Sequence, residues 1–490
     1  MGLSNSAIAR VTGIDVEFRN FNVGQALFLP QRVALIGQGN SATTYSTDPY
    51  IANSAGAVAE KYGYGSPLHL ASRALFPSNN DGIGGVPVTI YPLVDDGAGV
   101  PADGSIDLTG TSTEQGTGTV YIGGIASALF TIPSGTAADA ALALIKTAID
   151  SVLEMPVLTG VVAAGSLPLT AKWDGESGND ISLDVSELSI AGLTFSTTAM
   201  SSGAANPDVD DALDKIVNIW ETMIISCLNY DDTTTLGKYS AWGEGRWNNQ
   251  VKKPAVVFHG SVDNFATRTA ITDATAQKSD RINALVQSTA SRELPFVIAA
   301  RGVARIAVTA NDNPPQNYKG QLTLLEAGSD ASQEDYTTRN NSIKLGASTN
   351  IKVGSVAELT DTVTFYHPDG EPIPAFRYVV DIVKLQNILF NCNIIFESDD
   401  WKGSPLLPDG TPTTNPTAKQ PKDAKTALSN LADSLADNAI ISDPDFTKAN
   451  ITTEIDSNNP KRLNWTFPVK LSGNSEVISG DILFGFYLGN

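Results

Sequence analysis

Residues 459–488 constrain this chain more than any other stretch. From 462 to 471 the sequence alternates without a break, with Leu463, Trp465, Phe467, Val469 and Leu471 apolar. Arg462, Asn464, Thr466 and Lys470 lie between them, and Pro468 falls on the polar side. After Ser472-Gly473-Asn474-Ser475 a second alternation places Ile478, Ile482, Phe484, Phe486 and Leu488 on one face. A period of two over this length predicts two half-buried strands. Chain ends are usually frayed, so this much apolar surface at 490 requires a cover. An ordinary hairpin within the chain and a strand passed to another copy both satisfy the pattern.

At 490 residues the chain is too long for one core, and two or three domains are expected. The 53 acidic residues outnumber 32 basic ones, giving a net charge of −21. Phosphate contact needs clustered Lys and Arg, so this balance argues against a nucleic-acid binder. Cys227 and Cys392 both sit in apolar runs and read as buried thiols, with neither a disulfide framework nor a CxxC metal pattern. No signal-peptide core is present, and no segment reads as long and apolar enough to span a bilayer. The first six residues fit a myristoylation pattern, but no polybasic partner follows.

The expected organisation is mixed: α/β and α+β multidomain, with an α/β core built from N- and C-terminal parts, a small inserted α+β domain, and extended terminal strand arms. Residues 1–29 form the first arm, in which Ile14, Val16 and Phe18 alternate with polar neighbours. The core takes 30–95 and 206–400. It opens with a buried strand at 31–37, helices near 54–64 and 67–76, and a strand at 86–94, a βαβ order. The run 95–111, rich in Gly, Asp and Pro, breaks this pattern, and 96–205 is assigned to the insertion. Its one helix, 136–153, buries Leu142, Ile145, Ile149 and Val152. The α/β pattern resumes at Asn206-Pro207-Asp208, read as a capped helix start rather than a metal cluster. Further core strands are expected at 223–228, 255–258 and 296–300. A long helix at 376–397 carries a polar stripe of Arg377, Asp381, Lys384 and Asn391. Past a proline-punctuated linker, Asp423 caps a helix bearing Leu428, Leu431 and Leu435.

Catalytic signatures are missing. His69, His259 and His367 are far apart in sequence, although His259, after an expected strand, would suit a βα loop where catalysts often stand. There is no GxSxG elbow and no GxxxxGK[ST] loop, and Gly37-Gln38-Gly39-Asn40 reads as a tight turn. No carboxylate pair stands out for acid–base work. A soluble α/β enzyme with an inserted lid remains the alternative of a different class.

Five stretches carry a resemblance. Asn459-Pro460-Lys461-Arg462-Leu463, with the alternation and final apolar strand after it, resembles the C-terminus of contractile-phage tail sheath proteins of the Mu-like kind. Pro30-Gln31-Arg32-Val33 with Gly37 is similar to the sheath entry strand. Gly178-Asn179-Asp180-Ile181 resembles a GNDI signature of the inserted domain. Asn313-Pro314-Pro315 ahead of Leu322-Thr323-Leu324-Leu325 occupies the place of a DPA-type motif, loosely, since Asn313 separates Asp312 from the prolines. Val363-Thr364-Phe365-Tyr366 is similar to a strand ahead of the long helix.

The resemblance implies a structural subunit, not an enzyme, with no cofactor and no metal. Such subunits form hexameric rings stacked around a tail tube in the virion, assembled in the host cytoplasm. The implied partners are other copies, the tube protein, and baseplate and tail terminator proteins, without nucleic acid or membrane insertion. Residues 401–475 would be the tube-proximal part and 476–490 the C-terminal arm. Ile14, Val16, Phe18, Ile478, Ile482, Phe484, Phe486 and Leu488 would be donated to neighbours. Leu463, Trp465, Phe467, Val469 and Leu471 would line the accepting sheet. Lys419, Lys422 and Lys425 either face the tube or mark a solvated helix start. A sheath of a non-phage injection machine fits the same residues.

Overall fold

The computed structural model describes residues 26–78, 81–371, 375–476 and 478–482. The expected arm strand at Ile14, Val16 and Phe18 and the final residues Phe484, Phe486 and Leu488 lie outside the described residues. The chain divides into two compact units, one of 28–389 with 474–490 and one of 1–27 with 390–473.

The first unit is built on a six-stranded sheet. Strand β1 (Val33–Gln38) is buried at every position, and β2 (Tyr50–Ala52), α1 (Ala55–Tyr62), α2 (Pro67–Leu75) and β3 (Val88–Leu93) follow it. β1 and β3 pair in parallel, Val33 opposite Val88, which completes the expected βαβ unit, and β2 adds an antiparallel edge on β3. Ser54 and Ser66 cap the two helices by accepting from Ala57 N and His69 N.

Residues 100–204 leave the sheet and return to it. Val100 and Ala204 exchange hydrogen bonds of 3.0 and 3.1 Å across the neck. Strand β4 (Pro101–Gly110), helix α3 (Ala138–Asp150) and strands β5 (Val157–Thr159), β6 (Ser166–Asp174) and β7 (Leu193–Ser201) make a sheet in the order β7-β4-β6-β5 with α3 packed on it. β4 was not expected, since only Ala102, Ile106 and Leu108 are buried and Gly, Asp, Ser and Thr fill its open side. α3 buries Leu142, Ile145 and Ile149, whereas Val152 lies beyond its end and is half-buried. The expected helix at Asn206 shrinks to the single turn Asp210–Leu213. Asn206 instead accepts from Glu176 N at 2.9 Å, and Asp208 and Asp210 pair with Lys238.

The sheet then resumes with β8 (Met223–Ser226), α4 (Thr233–Trp247), β9 (Val256–Ser261), α5 (Phe265–Thr272), β10 (Asn283–Gln287) and α6 (Pro295–Asp312). Strand order is β10-β9-β8-β1-β3-β2. Alternate residues feed two cores. Val33, Leu35, Met223, Ile225, Val256 and Phe258 join the larger, whereas Ala34, Ile36, Ile224 and Val257 join the other. A sheet covered on both faces explains the unbroken apolar runs. The strand expected at 296–300 is instead the start of α6. Pro295 opens the helix, and burial continues through Val303, Ile306 and Ala310 with helical spacing, so the short apolar run belongs to a longer period. The strand is Asn283–Gln287, whose polar ends hid it.

Beyond α6 come β11 (Gly320–Glu326), α7 (Tyr336–Lys344), β12 (Thr349–Val353) and β13 (Val356–Asp361), a sheet in the order β11-β13-β12. Thr364 bridges Ala284 of β10, which places the segment 363–366 beside the main sheet. Helix α8 (Val379–Phe396) crosses the division between the two units. By length and composition it is apolar enough to cross a membrane, contrary to the reading that no segment is. Lys384, Gln386 and Asn387 on it are buried and hydrogen-bonded within the protein.

The second unit holds α9 (Pro421–Asp437), α10 (Pro444–Asn450), β14 (Thr452–Ile455) and β15 (Leu463–Thr466). Leu428, Leu431 and Leu435 are the buried face of α9. Its N-cap is Gln420, and Asp423 stands three residues in, accepting from Gln420 N at 2.8 Å, so the expected cap is the second half of a capping box. β14 and β15 pair antiparallel, Ile455 opposite Leu463. The strand expected over 462–471 ends at Thr466. Pro468, without an N–H, cannot extend the ladder, and Leu471 instead bridges Ile441.

Candidate functional site

The residues singled out by sequence lie at the two chain ends and in the second unit. After Gly473 the backbone joins the first unit. Asn474 Nδ2 donates to Pro315 O at 2.8 Å, and Asn474 Oδ1 accepts from Lys384 Nζ at 2.8 Å. Lys384 is fully buried and also contacts Asp381 at 3.1 Å. Two residues on, Glu476 accepts from Asn317 Nδ2 and pairs with Lys319 at 2.6 Å. Ile478 and Ile482 are each 89% exposed and neither lies in a strand.

The other terminal segment is held by asparagines. In the first unit Leu29 N donates to Asn387 Oδ1 at 2.8 Å. In the second, Asn391 Oδ1 accepts from Leu27 N at 2.8 Å and Asn391 Nδ2 donates to Leu27 O at 2.9 Å, while Ala26 N donates to Ser434 Oγ. An asparagine amide offers the same donor and acceptor as a strand neighbour, so Asn391 acts here as one residue of a ladder. Of the expected stripe of Arg377, Asp381, Lys384 and Asn391, Arg377 precedes α8, Asp381 is closed on Lys384, and the buried Lys384 and Asn391 are spent on the two terminal segments. Sequence reasoning saw the stripe and missed its use. The signal lay in the spacing of Lys384, Asn387 and Asn391, one turn apart on an otherwise apolar helix.

The strand residues of the second unit are incompletely covered. Trp465 is 38% exposed, and Leu463, Phe467, Val469 and Leu471 are half-buried. The Trp465 ring stacks on Phe396, centroids 5.2 Å apart, and Trp401 meets Phe396 edge-on at 5.3 Å. These rings, with Pro405, Leu406 and Leu463, line an open cavity of about 500 Å³. A two-stranded ribbon is marginal in water, and among the described residues β15 pairs only with β14. Lys422 and Lys425 are exposed on the first two turns of α9. Lys419 precedes the helix, half-buried, 4.0 Å from Asp400 and over the Trp401 ring.

His259 is not at a loop. It lies inside β9, fully buried, with Nε2 3.0 Å from Asn283 Oδ1, and burial pushes it down to about 4. Cys227 and Cys392 are buried free thiols, and burial pushes Cys392 up to about 12. Among the described residues no group of three His, Cys, Asp or Glu is placed to hold a metal ion.

No protein-family model matches the chain. It is 25% identical over 383 residues to the Mu-like prophage FluMu tail sheath protein of Haemophilus influenzae, across 76% of this chain and 77% of that protein. Among solved structures, a sheath tail protein of Listeria innocua superposes with a TM-score of 0.49 at 12% identity, covering 92% of this chain and 94% of that one. The anti-feeding prophage helical sheath in its contracted state gives 0.45 at 11% identity, covering 98% of this chain and 100% of that one. The motifs at 30–37, 178–181, 313–325, 363–366 and 459–463 and the alignment over three quarters of the chain point the same way: this protein is similar to the tail sheath proteins of Mu-like contractile phages.

Proposed function

We propose that the chain is a structural subunit of a contractile tail sheath. It polymerises as stacked hexameric rings around a tail tube in the virion, with baseplate and terminator proteins at the ends of the polymer. Contraction then exchanges one packing of the subunits for another. Residues 478–488 and 14–18 are the ties, added as strands to the sheets of neighbouring copies. The ribbon of β14 and β15, with Leu463, Trp465, Phe467, Val469 and Leu471, receives them, and Lys419, Lys422 and Lys425 face the tube. The protein assembles in the host cytoplasm and acts without a cofactor.

One observation carries this reading. The C-terminal segment is fixed at Asn474 and Glu476, and the apolar residues beyond, Ile478 and Ile482, have no cover among the described residues. An added strand of five or six residues makes a similar number of hydrogen bonds, each worth roughly 0.5–1.5 kcal/mol net. Each large apolar side chain it buries adds roughly 1.5–3 kcal/mol. Two such ties hold a lattice while other contacts change.

Deleting 476–490 tests it by electron microscopy. The full chain is expected to form long hollow helical tubes, and the truncated chain to stay folded, soluble and unpolymerised. Tubes from the truncated chain, or a full chain that remains monomeric in all conditions, would overturn the proposal.

A further inference from the structure

The root of the C-terminal segment carries an unusual charge arrangement. Lys319 Nζ lies 2.6 Å from Glu476 Oε2 and 3.8 Å from Asp361 Oδ1, so two carboxyl groups share one ammonium. The Glu476 and Asp361 side chains are only 23% and 17% exposed. Asp361 ends β13 and belongs to the folded body, whereas Glu476 belongs to the segment that departs two residues later. Two carboxylates beside one ammonium leave a net negative charge in a site largely withdrawn from water, and a proton on one of them removes it. Asp361 is pushed up to about 7, by burial first, with Lys319 opposing and Glu476 reinforcing.

The remaining groups facing the cluster do not replace that proton. Tyr378 is held above its ordinary range by burial and by Asp361 and Glu476, so it carries no charge near neutrality. Arg377 acts on Tyr378 from the same stretch. Asp381, which also feels Glu476, is closed on Lys384 at 3.1 Å.

We infer that Asp361, Lys319 and Glu476 form a proton-operated latch: with Asp361 protonated the C-terminal segment is fixed at residue 476, and loss of that proton to solvent frees it back to Asn474. This rests on the reading that the segment beyond 476 ties subunits together, and it adds what governs the segment before it finds a neighbour. The sign follows from linkage. A carboxyl group raised in the latched state binds its proton more tightly there, so latching is favoured at low pH. It weakens as pH rises from the ordinary carboxylate range to about 7, by up to about tenfold per pH unit.

The test uses the full, unassembled chain with Ser479→Cys carrying a nitroxide, since Cys227 and Cys392 are buried. The expected electron paramagnetic resonance spectrum gains a mobile component between pH 5.5 and 8. Asp361→Asn, which keeps a hydrogen-bond donor without the ionisation, is expected to keep the pH 5.5 spectrum across that range. Lys319→Gln is expected to free it throughout. A probe in the Asp361→Asn chain that still follows pH as in the parent, or a parent spectrum unchanged from pH 5.5 to 8, overturns the latch. Failure of the tie reading is separate, because it shows as polymerisation of the chain lacking 476–490 whatever the probe does.

Discussion

Lys384→Met removes a buried cation while keeping most of the side chain's volume. Lys384 is fully buried, and its ammonium contacts Asp381 at 3.1 Å and Asn474 Oδ1 at 2.8 Å. Removing one partner of a fully buried pair costs roughly 3–5 kcal/mol, mostly because the other charge is stranded. The Asp381 side chain is 25% exposed, so water recovers part of that. The lost hydrogen bond to Asn474 adds roughly 0.5–1.5 kcal/mol. A net loss of about 3 kcal/mol is expected in urea unfolding of the unassembled subunit. The double variant Asp381→Asn with Lys384→Met strands no charge and is expected to recover most of it, which a double-mutant cycle reads directly. Stability of the Lys384→Met chain within about 0.5 kcal/mol of the parent, or a double variant no better than the single one, would refute the argument.

Three further outcomes follow from the same geometry. A Cβ at Gly260 would come within 1.6 Å of Pro295 O, so Gly260→Ala forces β9 and α6 apart and is expected to cost about 3 kcal/mol; an unchanged thermal midpoint would count against this packing. His69 and His259 are both held near 4 by burial, Arg73 reinforcing at His69 and Asn283 opposing at His259. Each therefore contributes stability that is full above about 6.5 and lost as pH falls toward 4, up to about 3 kcal/mol apiece. His259→Gln should lower the acid-linked proton uptake by about one, measured from the pH dependence of unfolding, and leave polymerisation alone. Trp465→Ala removes the stack on Phe396 and should weaken assembly while costing the isolated subunit only about 1 kcal/mol; the critical concentration for tube formation reports the first and urea unfolding the second.

What the sequence made legible was whatever one face or one period dictates. The all-buried strand at 33–38, the helix at 138–150 and the leucine face of 421–437 follow from apolar spacing alone. The reading failed where burial did not show as hydrophobicity. β4 hides its three buried residues among Asp, Gly and Ser, and β10 ends in Asn and Gln. The run at 296–300 is equally apolar as strand or helix, and only Pro295 and the continuation to Ala310 decide it. At the candidate site, the alternation at 462–471 located β15 but missed its partner β14 and hid the break at Pro468. The partners of the terminal segments were illegible because they are long-range. Asn391 with Leu27 and Lys319 with Glu476 are joined by folding, with no local pattern to announce them.

Those long-range contacts bear on why the ends of this chain carry strand-like sequence. A segment that merely closed its own domain would be held by the residues that need burial, its Ile and Phe positions. Here the fold does the reverse. It grips Asn474 and Glu476 through hydrogen bonds and charge and leaves Ile478 and Ile482 in solvent. The N-terminal segment is likewise held by backbone hydrogen bonds from Leu27 and Leu29 to asparagine side chains. At the C-terminal end, polar anchoring fixes where the segment departs without using up the apolar surface of Ile478 and Ile482. Two exposed isoleucines forgo roughly 3–6 kcal/mol of burial, a cost that a monomer gains nothing by accepting and that a second copy, covering them, would return.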